Sequence, residues 1–172
     1  MRYSRVAFVG RGAEIVTFDV RRWIVGQVDF VANLLAEVEE RQLQNIRVYN
    51  TDAIEVLENA IPDRSLAGIY LLFPDPWHKR RHHKRRIVQP GFAALVQRKL
   101  EAGAFIHMAT DWTPYAEHMM AVFSDMPSFL NLAGKGNYHE RPADRPPTRF
   151  ESRGHRLGHP VHDLIFKLET NA

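Results

Sequence analysis

Residues 66–77 read Leu-Ala-Gly-Ile-Tyr-Leu-Leu-Phe-Pro-Asp-Pro-Trp, an almost continuous apolar run stopped by two prolines around an acid. A strand with one wet face alternates apolar and polar residues. A near-continuous run instead reads as a strand buried on both faces, which is how parallel sheets look in sequence. Upstream, 45–49 reads as a second strand and 54–60 as a helix with Ile54, Leu57 and Ala60 apolar. Further back, Val31, Leu34, Leu35 and Val38 fall at i, i+3, i+4 and i+7, which predicts a helix over 28–42. Downstream, a helix is expected over 90–100, a strand over 103–110, a helix from Pro114 to 123 and a last strand over 161–168. A proline is tolerated in a first helical turn. From residue 28 onward strand and helix alternate, which predicts an α/β fold, a mostly parallel sheet with helices on both faces.

The first 27 residues break that rhythm. Residues 5–10 and 15–20 both read as strands, yet only Arg11, Gly12, Ala13 and Glu14 lie between them. A crossover helix needs a dozen or more residues, so this spacing predicts a hairpin. The whole chain, 1–172, is read as one domain with an atypical segment over 1–27 and a regular one over 28–172.

Composition bounds the function classes. The chain has 172 residues, 45% hydrophobic and 25% charged, with no cysteine, so a buried core is expected and wholesale disorder is not. Disulfide scaffolds, cysteine zinc sites, iron–sulfur clusters and cysteine nucleophiles are excluded. No apolar run approaches the roughly 18–20 residues of a membrane span, and the N-terminus lacks a signal peptide's pattern. A soluble cytoplasmic protein, monomeric and without membrane contact, is the expectation.

Net charge is only +3, but residues 78–86 (His-Lys-Arg-Arg-His-His-Lys-Arg-Arg) hold six Lys and Arg and no acid. Setting those six aside leaves 17 cations against 20 anions. A second segment, 139–159, carries Arg141, Arg145, Arg149, Arg153 and Arg156 against three acids. A charge run is often no more than a solvated face; two arginine-rich segments on a mildly acidic body read as a footprint for phosphates. His78, His82 and His83 are poor metal candidates, crowded by cations and without a carboxylate in the run, so no metal is expected.

In α/β sheets ligands bind outside the carboxyl ends of the strands. Asp52, Asp75 and Asp111 each follow a predicted strand, and Asp19 sits near the end of another. Any one of them has the position of a helix cap; several together would line one crevice. Asp75 is the sharpest case, because Pro74 and Pro76 restrict the backbone on both sides and Trp77 lies two residues on. A stiffly held acceptor beside an indole suits a planar nitrogenous base, although a proline-rich turn with a core tryptophan would look the same.

These residues carry a family resemblance. Phe-Pro-Asp-Pro-Trp at 73–77 with Lys79 and Arg-His-His-Lys-Arg-Arg at 81–86 resembles the signature of the bacterial tRNA guanine-N7 methyltransferases. So do His-Met-Ala-Thr-Asp-Trp at 107–112 and Thr-Arg-Phe-Glu at 148–151 with Arg-Gly-His-Arg at 153–156. The resemblance runs from about residue 34 to 168. It implies a Rossmann-like fold, S-adenosylmethionine as cofactor, tRNA as partner, and methylation of a guanine N7 in the tRNA variable loop. It also implies Asp75 as a catalytic and cofactor residue, and Asp52 at the cofactor, with Asp19 the nearest candidate for the ribose-binding acid. Lys79, Asp111, Thr148, Arg149, Phe150 and Glu151 match substrate positions, and Arg81, His82, His83, Lys84, Arg85 and Arg86 match the RNA-contacting segment.

One element of the family pattern is missing or degenerate. A glycine-rich turn, a helix and a second strand ending in an acid normally open the fold. Here the nearest counterparts, Gly10-Arg11-Gly12 and Asp19, leave no room for that helix. Two other readings compete with the enzyme: an inactive tRNA-binding remnant, and an amino-group methyltransferase, because Pro-Asp-Pro-Trp resembles the Asp-Pro-Pro-Tyr turn of such enzymes. The degenerate turn predicts weak or undetectable S-adenosylmethionine binding. Titration calorimetry showing low-micromolar affinity would contradict that.

Overall fold

The computed structural model describes residues 52–143 and 160–169, the strand backbone at 5–10, 15–19 and 46–49, and positions 36, 39, 40 and 42. Among the described residues there are seven strands: β1 (Arg5–Gly10), β2 (Ile15–Asp19), β3 (Ile46–Tyr49), β4 (Leu66–Leu72), β5 (Leu100–Thr110), β6 (Phe129–Asn131) and β7 (His162–Leu168). Three α-helices, α1 (Ala53–Asn59), α2 (Pro90–Lys99) and α3 (Thr113–Ser124), and a 3-10 turn over Arg80–Arg85 complete them. Most of the helix expected over 28–42 lies outside the described residues; Ala36, Glu39 and Glu40 are helical.

All seven strands join one sheet in the order β3-β2-β1-β4-β5-β7-β6. β4 is parallel to β5, and β2 to β3. The other four pairings are antiparallel: β1 with β2, β1 with β4, β5 with β7, and β6 with β7. The sheet is therefore mixed, not mostly parallel. β4 is not buried on both faces, since Ala67, Tyr70 and Leu72 are only half-buried, and an apolar run carries no information on the direction of the neighbouring strand. The hairpin expected from the short gap at 11–14 is present, with Arg5 opposite Asp19 and Val9 opposite Ile15. β6 escaped the sequence reading because three residues carry too little periodicity.

The register sets which residues share a rim. Arg5 pairs with both Asp19 and Leu72, Phe18 with Tyr49, and Leu72 with Ala109. The ends of β2, β3, β4 and β5 thus lie along one edge. Gly10 pairs with Leu66, so the end of β1 lies at the opposite edge.

The core sits on one face. Ile69, Leu71, Ile106, Met108, Leu164 and Phe166 pack with Val56, Leu57, Phe92, Val96, Tyr115, Met119 and Phe123 from the three helices. These strand residues are alternate positions, as a pleated strand requires. The alternate set on the other face, Tyr70, Phe105, His107, Ile165 and Lys167, lines a groove of about 330 Å³, so among the described residues the α-helices cover one face only.

Within that second face lies a buried polar pair. His107 is 2% and Asp163 1% exposed, and the imidazole Nε2 donates to Asp163 Oδ1 at 2.6 Å, tying β5 to β7. Removing the imidazole takes a short hydrogen bond from a buried acid, so His107→Ala is expected to destabilise the chain by about 1–3 kcal/mol. Asp163→Asn, which keeps an acceptor, is expected to cost clearly less. Equal midpoints for both variants in chemical denaturation would contradict this.

Candidate nucleic-acid and methyl-transfer site

The site begins where β4 and β5 end. The ladder is extended past β4 by Phe73 N–H, which donates to Ala109 O at 2.7 Å. Beyond that bond the chain turns sharply. Phe73 (φ 53°) and Trp77 (φ 45°) both occupy the left-handed region, one on each side of Pro74-Asp75-Pro76. Such backbone costs about 1–3 kcal/mol per residue and persists only where its surroundings force it. The prolines predicted stiffness; the left-handed flanks were not legible, since Phe73 precedes a proline, where extended backbone is the ordinary choice, and nothing in the sequence marks Trp77. Asp75 is half-buried at the rim.

Asp111 follows β5 directly and is buried, 8% exposed, at the entrance to α3. The two strand-end segments meet edge to face, the His78 and Trp112 ring centroids lying 4.3 Å apart. Asp52 caps α1: its Oδ1 accepts from Ile54 N–H at 2.8 Å. The capping role that competes with function at any strand-end acid is therefore realised at Asp52. Asp19 ends β2 on the same rim. Thr148, Arg149, Phe150 and Glu151 lie outside the described residues.

The basic run folds as one 3-10 turn, closed by His82 N–H to Lys79 O (2.8 Å) and Arg86 N–H to His83 O (3.0 Å). In a 3-10 turn side chains three apart eclipse. His82 and Arg85 accordingly fall together on Trp77, with ring centroids 5.7 Å apart for the first and the guanidinium carbon 5.1 Å from the ring for the second. Lys79, Arg80, Arg81, Lys84 and Arg85 are exposed, and His82 and His83 half-buried.

Arg86 departs from the expectation of RNA contact. It is 4% exposed, its Nε donates to Pro76 O at 2.9 Å, and its guanidinium carbon lies 4.8 Å from the Tyr115 ring. Its one distinction in the sequence is its place as the last cation of the run, directly before Ile87-Val88. Burial pulls the guanidinium below its usual pKa, opposed by the Tyr115 oxygen; the same burial drives the Tyr115 hydroxyl well above its own. A second buried cation was also missed. Lys99 Nζ reaches Ile61 O (2.7 Å) and Asp63 (2.6 Å) on the opposite side of the sheet from this site. Among the described residues no group of three or more His, Asp or Glu could hold a metal ion.

Comparison with known proteins accords with this arrangement. Residues 24–164 match the family described as "Putative methyltransferase". The tRNA (guanine-N(7)-)-methyltransferase of Photorhabdus laumondii is 51% identical over 164 residues, covering 92% of this chain and 69% of that protein. The chain belongs to this family. The Alcanivorax borkumensis enzyme of the same name is 58% identical over 137 residues, and the match covers 80% of this chain. This chain spans 57% of that relative's length. Among solved structures, an S-adenosylmethionine-dependent O-methyltransferase from Thermotoga maritima superposes with a TM-score of 0.52 at 10% identity, covering 91% of this chain and 50% of that one. A tRNA (m1A58) methyltransferase from Aquifex aeolicus gives 0.51 at 13% identity, with 90% and 53% covered. The fold is that of the Rossmann-like methyltransferases.

The His82 imidazole is held below its ordinary value, first by burial and then by Arg85, Arg81, Lys79 and Lys84. In the free chain its NMR titration midpoint is therefore expected below 6.5, and Arg85→Ala, which removes a cation and eases protonation, is expected to raise it. A midpoint at or above 6.5 in the unmodified chain would contradict this.

Proposed function

We propose that this chain methylates N7 of a guanine in tRNA, with S-adenosylmethionine as donor, and that Asp75 receives the base. The observation that carries this reading is a half-buried acid on a strained turn at the end of β4, followed at once by an exposed basic 3-10 turn. The acid suits base N–H donors and the cations suit the phosphates of the same nucleotide's strand.

Guanine N7 has an in-plane lone pair and carries no proton. Methyl transfer to it needs no general base; it needs alignment and exclusion of water. Asp75 can accept N–H donors from the opposite edge of the guanine and partly balance the positive charge that grows on the ring. Its role is to orient and stabilise. Asp111, buried beside it at the end of β5, and Lys79, exposed at the start of the basic turn, are the further substrate groups this reading uses. Arg81, His82, His83, Lys84 and Arg85 supply the contact with RNA, and Thr148 to Glu151 complete the substrate side.

The cofactor, when bound, supplies an electrophilic methyl. Asp19, Asp52 and Asp75 end or follow strands on one rim, and carboxylates suit its ribose hydroxyls. The glycine turn does not join them, since Gly10 pairs with Leu66 at the far rim. The fit is to the nucleoside end, and weak binding is the expectation that follows from it.

Single-turnover transfer of labelled methyl to unmodified tRNA tests the role of Asp75. Asp75→Asn and Asp75→Ala are each expected to lower the rate by about 10²–10³-fold, the range seen when one preorganised polar group is lost. Undiminished transfer in both would remove Asp75 from the mechanism.

A further inference from the structure

Of the six cations between residues 79 and 86, Arg86 alone is withdrawn from solvent. Its Nε donates to the carbonyl of Pro76, the residue directly after Asp75, and its guanidinium carbon lies 4.8 Å from the centre of the Tyr115 ring. Tyr115 is itself anchored: it lies in the first turn of α3, is fully buried, and its hydroxyl accepts from Val88 N–H at 3.4 Å. Arg86 thus links the turn to a fixed point of the core.

The placement has a cost. Arg86 Nη2 is buried and has no hydrogen-bond partner among the described residues. An unsatisfied buried donor destabilises the fold, and a native structure that keeps one asks for a reason. The reason lies in the backbone beside it. Phe73 and Trp77 are both left-handed, and strained backbone needs anchors at each end. Phe73 has its anchor in the bond to Ala109 O. At the other end Arg86 supplies an anchor through the Pro76 carbonyl.

We propose that Arg86 is the positioning residue for Asp75: it fixes the Pro76–Trp77 backbone, and through it the direction of the Asp75 carboxylate, without contacting RNA. This rests on the reading of Asp75 as the acceptor for guanine. A lysine could reach the Pro76 carbonyl, but it has no guanidinium fork to keep the Tyr115 contact while doing so. Charge alone is therefore not enough.

The test uses the full chain and four variants: Arg86→Lys, Arg86→Met, Lys84→Ala and Asp75→Asn. Three quantities are measured: the preference for guanosine over inosine monophosphate, the single-turnover rate on tRNA, and the salt dependence of tRNA binding. Inosine lacks the 2-amino donor, so the preference reports whether the carboxylate is aimed. Arg86→Lys and Arg86→Met are expected to lose most of the preference and about 10²-fold in rate, the effect of a small misplacement. Their salt slope is expected to match the unmodified chain, whereas Lys84→Ala reduces it by about one. Unchanged preference and rate in both Arg86 variants, with both lost in Asp75→Asn, would overturn the proposal and leave the reading of Asp75 intact. Retention of both in Asp75→Asn would overturn that reading instead. A reduced salt slope in the Arg86 variants would make Arg86 a phosphate contact. If Arg86→Met does not fold, Arg86→Lys decides alone; failure of both to fold would make Arg86 a core residue and contradict the proposal.

Discussion

The parallel pairing of β4 with β5, carried one residue past the strand by Phe73 N–H to Ala109 O, is the constraint on which the site depends. It makes the two strands end together, so the turn after β4 and the acid after β5 emerge side by side. Asp75, Asp111 and the basic turn are placed relative to that edge. The left-handed residues that flank Pro74-Asp75-Pro76 then convert a strand end into a fixed platform. The platform is held from the sheet on one side and from α3, through Tyr115, on the other.

The basic run shows how one local geometry divides labour among similar residues. A 3-10 turn repeats every three residues, so neighbours in sequence point to different places. His82 and Arg85 close over Trp77, Lys84 and Arg81 stay in water, and Arg86 leaves the turn inward. Read as a string, all six cations look equivalent. In space five of them are exposed and the sixth is buried, bonded to the Pro76 carbonyl. Trp77, which looked from sequence like a free stacking surface, carries a guanidinium over its ring.

Much of the fold was legible because hydrophobic period and gap length are local properties. The apolar run at 66–73 located β4, and the four-residue gap at 11–14 gave the β1–β2 hairpin. The rim acids were legible because strand ends are where polar residues interrupt apolar runs. Strand direction was not legible, since it is set by pairing partners far away in the chain. The His107–Asp163 pair was hidden for the same reason, 56 residues separating its members. Asp52 shows the limit of motif reading, because the carboxylate that matches a cofactor position also caps α1.

The central claim is that the Asp75 carboxylate, held at the rim by a strained turn, faces a guanine and does not brace the interior. A crystal structure of the chain bound to tRNA measures this directly. The account predicts one guanine turned out of its stack, its N–H edge within hydrogen-bond reach of Asp75, its N7 left open, and the adjoining phosphates on the turn at 80–85. A guanine seated elsewhere, with Asp75 bonded only to protein, would contradict it.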